Sequence, residues 1–66
     1  MLEIDMGIRV KQLRNKLDLS QEKLAAKADL TVSTVRQIER GLANPTVSTL
    51  KALAAVLDTT VSDLTK

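Results

Sequence analysis

Apolar residues recur along the chain at spacings of three and four and never in the strict alternation of a half-buried strand, a pattern that predicts helices throughout. Wound at about 100° per residue, Met6, Val10, Leu13 and Leu17 fall in a sector roughly 60° wide while Lys11, Asn15 and Lys16 point elsewhere. The first helix is therefore expected over about 5–17. Ser20 stands directly before Gln21-Glu22-Lys23-Leu24-Ala25-Ala26-Lys27-Ala28, where its hydroxyl can cap a second helix with Leu24, Ala25 and Ala28 inward. Thr31 is placed in the same way before a third helix over about 32–40, and Gly41 can take the left-handed conformation that stops it. Asn44-Pro45-Thr46 reads as a turn and a cap, after which Val47, Leu50, Leu53, Ala54 and Leu57 form an inward stripe. Thr60-Val61-Ser62-Asp63 has capping-box spacing, with Leu64 free to pack back. With no repeat, linker or low-complexity segment in view, the expected fold is all-α: a compact bundle of four to five short helices forming one domain over 1–66. Helices this brief are stable only when packed together.

Composition narrows the chemistry. The 66 residues include no Cys and no His. Disulfides are thereby removed, as are Cys–His and Ser–His–Asp nucleophiles and zinc sites of the ordinary ligand set. An enzyme is a poor reading, and no cofactor or metal is implied. The start, Met-Leu-Glu-Ile-Asp, lacks the basic and apolar regions of a signal peptide. The longest apolar run, Ala52 to Leu57, is far short of the roughly 20 residues that cross a bilayer. A soluble cytoplasmic chain with no membrane partner is expected. Nor is a small-molecule ligand inferred.

The stretch from about 20 to 40 places two capped helices three or four residues apart, the spacing at which the second can cross the first at about 90° to 120° in a helix-turn-helix. In these residues the chain resembles the phage repressor and Cro family, the XRE-like regulators. The resemblance is carried by Leu19-Ser20-Gln21-Glu22-Lys23-Leu24-Ala25, by Thr31-Val32-Ser33, by Ile38-Glu39-Arg40-Gly41 and by Asn44-Pro45-Thr46. Leu50-Lys51-Ala52-Leu53-Ala54-Ala55-Val56-Leu57 completes it, so that essentially the whole chain is covered. It implies a lambda repressor-like domain that binds double-stranded DNA with its third helix.

Projection of that helix sets Val35 and Ile38 on one side and Val32, Ser33, Arg36, Gln37 and Arg40 in a sector about 140° wide on another. In a major groove, Gln37 can read adenine, Arg36 guanine, Ser33 can donate or accept, and Val32 can meet a thymine methyl. The resemblance assigns base reading to Val32, Ser33 and Gln37, with Arg36 added from its chemistry. It also assigns sugar-phosphate contacts to Ser20 and Gln21, with Thr31, Arg40 and Asn44 as the other matching positions. For Ser20 and Thr31 capping alone is the plainer role, and the two coexist. The family pairs an arginine with a glutamate at the positions of Arg14 and Glu39, which implies a salt bridge joining the first helix to the third.

Charge is distributed to match. Residues 9–40 hold eight basic and four acidic residues, a net +4, and the remainder of the chain carries −2. Where relatives often have glycine at helix ends, Asp18, Asp29 and Asp58 stand instead, which predicts positive φ at three aspartates.

The leading expectation is a sequence-specific DNA-binding transcriptional regulator, a repressor by preference, working as a homodimer on a palindromic operator with half-sites about 34 Å apart. Leu2, Ile4, Val56, Val61 and Leu64 are the residues offered for dimer contacts, unless the core takes them. The alternative is an antitoxin-like or anti-regulator module that keeps the fold for protein interaction and binds DNA only secondarily.

Overall fold

Every helix after the first begins on a side-chain oxygen that takes the backbone N–H three residues ahead, and this sets the register of everything after it. In a computed structural model, which describes residues 3–65 and their side chains from Asp5 onward, five helices follow one another. They are α1 (Glu3–Lys16), α2 (Gln21–Lys27), α3 (Val32–Glu39), α4 (Val47–Val56) and α5 (Val61–Leu64). No strand occurs among the described residues. Ser20, Thr31, Thr46 and Thr60 accept from Lys23, Thr34, Thr49 and Asp63 at 3.0, 3.1, 3.2 and 3.0 Å. Replacing such a cap by alanine typically costs about 1 kcal/mol.

The helix ends are equally local. Asp18, Asp29 and Asp58 adopt φ of 60°, 57° and 57°, and Gly41 has φ 75°. After each of these residues the next N–H reaches back five positions: Leu19 to Arg14, Leu30 to Ala25, Leu42 to Gln37 and Thr59 to Ala54, at 2.8 to 3.0 Å. These are Schellman turns, and they satisfy carbonyls that a helix end otherwise leaves open. Asp is among the few residues other than Gly that enter this left-handed region with tolerable strain.

Among the described residues twelve apolar side chains form the core: Met6 and Val10 from α1, Leu24, Ala25 and Ala28 from α2 and its cap, Val35 and Ile38 from α3, and Leu50, Leu53, Ala54, Leu57 and Leu64 from the last two helices and the cap between them. In this arrangement α3 packs against both α1 and α2, while α4 lies against α2 and α5, and α5 reaches α1. Arg9 Nη1 donates to the Leu64 carbonyl at 3.3 Å, closing the end of α5 onto α1.

Of the expected apolar stripes, Leu13 is half-buried against the core, and two residues lie in solvent. Leu17 is 42% exposed and Val47 63% exposed, although both have the right angular position. The reason is axial. Leu17 follows the last residue of α1 and Val47 is the first of α4, so each overhangs the elements that cover its neighbours. Among the residues offered for dimer contacts, Leu64 is fully buried, and Val56 and Val61 are half-buried against the core. The side chains of Leu2 and Ile4 lie outside the described residues.

Gly7 was not singled out by periodicity, yet it governs how α1 meets α3. A Cβ at Gly7 would collide with the Ile38 carbonyl oxygen and sit 2.8 Å from that of Glu39. Glycine is thus the residue that lets α1 pass directly across the C-terminal end of α3. Backbone cannot yield there as a side-chain tip could.

Candidate nucleic-acid interface

Helix α3 is divided lengthwise. Val35 and Ile38 are buried, and Ser33, Arg36, Gln37 and Arg40 are exposed on one continuous arc. At about 100° per residue those four span roughly 100°. Val32, expected on the same arc, lies some 40° beyond its edge and is half-buried, packed against the core. Its β-branched side chain covers the seam between α3 and the bundle. Thr34 is half-buried on the opposite flank, with its hydroxyl 2.8 Å from that of Thr31.

The buried side of α3 also holds a charged cluster. Arg14 Nε donates to Glu39 Oε2 at 2.6 Å and Arg14 Nη2 to Glu39 Oε1 at 3.1 Å, a two-pronged pairing. The third prong, Nη1, donates to the Leu19 carbonyl at 2.8 Å. Side-chain exposure is 10% for Arg14 and 3% for Glu39. Charges this shielded survive because each is met by several hydrogen bonds, and no buried side-chain polar atom among the described residues lacks a partner. Arg14 therefore ties together the end of α1, the start of the next turn and the far end of α3.

Gln21 extends this cluster outward. Its Nε2 donates to Glu39 Oε1 at 3.1 Å, and its Oε1 accepts from Arg36 Nε at 3.4 Å. The sequence places Gln21 at the head of α2 with one partner in mind, a phosphate; here it is half-buried and already holds two side chains of α3. A glutamine at this point gives no periodic signal, so only the three-dimensional closeness of α2 and α3 reveals the link.

The remaining residues assigned to sugar-phosphate contact, Ser20, Thr31, Arg40 and Asn44, are all exposed. Ser20 and Thr31 are engaged as caps. Of the eight basic residues in the positive stretch, Arg14 is spent on Glu39 and Arg9 reaches α5, whereas Lys11, Lys16, Lys23, Lys27, Arg36 and Arg40 are exposed. The count of +4 thus overstates what Arg9 and Arg14 present to solvent. Opposing charge from Glu39 is withdrawn as well.

The paired, separately capped α2 and α3, with one polar face of α3 turned outward, define a helix-turn-helix protein. The chain belongs to the helix-turn-helix family (HTH_3), whose model matches residues 10–64. It is 44% identical over 57 residues to the immunity repressor protein of Bacillus phage phi105, which covers 86% of this chain and 40% of the repressor. The chain accordingly spans less than half of that relative's length. Among solved structures, the restriction-modification controller protein C.AhdI from Aeromonas hydrophila superposes with a TM-score of 0.90 at 35% identity, covering 94% of each chain. The master regulator for biofilm formation SinR, determined in complex with DNA, gives a TM-score of 0.89 at 39% identity, covering 92% of this chain and 98% of that one.

Among the described residues no helix is long and apolar enough to cross a membrane.

Proposed function

We propose that this chain is a sequence-specific DNA-binding transcriptional regulator that lays α3 in the major groove of double-stranded DNA and represses transcription as a homodimer in the cytoplasm. The observation that carries this reading is the exposed arc of Ser33, Arg36, Gln37 and Arg40 on a helix whose opposite side is fixed by a buried ion pair. An eight-residue helix is about 12 Å long, close to the width of the groove. Gln37 reads adenine, Arg36 guanine, and Ser33 a neighbouring edge. Val32 contributes a methyl at the margin of the contact. Arg40, Asn44, Thr31, Ser20 and the N-terminus of α2 with Gln21 meet the sugar-phosphate strands, which set register and carry most of the affinity. A helix this short reads few base pairs, so two copies on half-sites about 34 Å apart supply the rest of the specificity.

Likeness to the phi105 immunity repressor and to SinR, solved with DNA, supports the regulator reading. Likeness along nearly all of C.AhdI, a restriction-modification controller protein, supports it as well.

Selection from a random duplex library followed by fluorescence anisotropy tests the proposal. One preferred palindromic sequence is expected, with log K falling against log salt by about 0.9 per phosphate contact. Gln37→Ala should cost about 1 to 3 kcal/mol and relax one base position, whereas Arg40→Ala should weaken all duplexes alike and flatten the salt slope by about one. Affinity indifferent to sequence and salt would defeat this reading in favour of the protein-interaction module.

A further inference from the structure

We propose that Gln21 is a positioning residue for Arg36: its side-chain amide relays the buried Arg14–Glu39 pair to the exposed face of α3 and so sets which base pair Arg36 selects. The proposal rests on the DNA-binding reading above and assigns Gln21 a task separate from phosphate contact.

The argument begins with an acceptor. The Glu39 carboxylate has no hydrogen to give when ionised, so the amide facing it must present its NH₂ side. The arrangement agrees, with Gln21 Nε2 on Glu39 Oε1 at 3.1 Å. Amide orientation is usually ambiguous because oxygen and nitrogen are interchangeable in shape. Here the carboxylate removes the ambiguity, and it turns Gln21 Oε1 toward Arg36 Nε, 3.4 Å away.

Glu39 is in turn immobilised by two bonds from Arg14. An exposed arginine ordinarily samples many rotamers, and freezing it on a base costs affinity. Arg36 already has a partner at Nε before any ligand arrives, which narrows its rotamers and leaves the two terminal nitrogens available. Those are the atoms that pair with O6 and N7 of guanine. Arg40, also on the arc, has no comparable side-chain hydrogen bond among the described residues. Of the two arginines, Arg36 is the one prepared for directional reading and Arg40 the one suited to a diffuse phosphate charge.

The variant that isolates the relay is Gln21→Met, which keeps length and packing and removes both hydrogen bonds. It is compared with Arg36→Ala and the double variant on the duplex selected by the unaltered chain and on that duplex with each base pair changed in turn, at one salt concentration. Arg36→Ala is expected to flatten discrimination at a single base pair by about tenfold or more. Gln21→Met should lower discrimination at that same base pair at least about threefold, and combining the two should change it no further. Uniform weakening of every duplex by Gln21→Met, with discrimination intact, would show a phosphate contact only and overturn the proposal. A second readout needs no DNA. Relaxation of the Arg36 Nε–H in the free protein should report greater mobility in Gln21→Met, and an unchanged signal would refute the coupling itself. An unaltered chain that discriminates among no duplexes would instead defeat the functional reading, while the Nε–H measurement still decides whether the relay exists.

Discussion

Helices α3 and α4 start from the same four residues, Thr31-Val32-Ser33-Thr34 and Thr46-Val47-Ser48-Thr49, and are put to opposite uses. Their caps are alike: Thr31 has φ −83° and ψ 154°, Thr46 φ −71° and ψ 165°, and each accepts from the N–H three residues on. In both, the fifth residue, Val35 or Leu50, is buried. Divergence begins immediately afterwards. Arg36-Gln37-Ile38-Glu39 continues α3 with one inward apolar residue, one inward carboxylate and two outward polar groups, whereas α4 continues with the exposed Lys51 and then Ala52-Leu53-Ala54 as packing surface. A shared start thus specifies where a helix begins and says nothing of its purpose. Purpose is set by what the opposite side is fastened to: α3 adds a buried ion pair to its apolar contacts, where α4, among the described residues, is fastened by apolar contact.

The sharpest way to break this contrast is to remove the charged fastening. Arg14→Met or Glu39→Leu alone should cost about 3 to 5 kcal/mol in urea unfolding, because each strands a shielded partner. The double replacement should recover much of that loss. A double variant destabilised by the sum of the two single losses would mean that the two residues act independently of each other.

Next in size is the steric fastening at the other end of the same contact. Gly7→Ala gains helix propensity of up to about 1 kcal/mol, yet its methyl meets backbone oxygens of Ile38 and Glu39. A net loss of about 1 to 3 kcal/mol is expected, visible as a melting temperature lowered by roughly 4 °C or more. An unchanged melting temperature would show that α3 slides on α1 at little cost.

Smaller effects separate the two caps. Thr31→Ala and Thr46→Ala should each destabilise by about 1 kcal/mol, but only Thr31→Ala should also weaken duplex binding. Equal effects on binding would mean that stability alone accounts for both. Smallest of all is the pair of valines: Val47→Ser, at a site 63% exposed, should fall within about 0.5 kcal/mol of the parent, while Val32→Ser uncovers the core seam and should cost more.

Much of this was legible in the residues themselves. Caps are read locally, since Ser or Thr just before an apolar periodic run has one dominant use, and all four capped starts lie where the pattern puts them. The left-handed ends at Asp18, Asp29 and Asp58 were legible by comparison with glycine at matching positions. What periodicity does not carry is position along a helix axis, which is why Leu17 and Val47 fit the stripes yet lie in solvent. It also does not carry which polar side chains meet across helices. Gln21 touches Glu39 and Arg36 at separations of 18 and 15 residues, distances over which no local rule operates. Gly7 is silent for the same reason, its partner being backbone more than 30 residues away.

The helices after the first start on bonds to their own neighbours in sequence, and α1 to α4 stop on such bonds, so most helix boundaries are marked locally even though segments this brief become stable only on packing. Proteins dominated by such short-range contacts cross their folding barrier in microseconds to milliseconds. The Schellman turns at Asp18, Asp29, Gly41 and Asp58 therefore have a kinetic consequence: they bias each segment toward its native boundaries, so that the remaining search is largely the docking of neighbours whose ends are already marked.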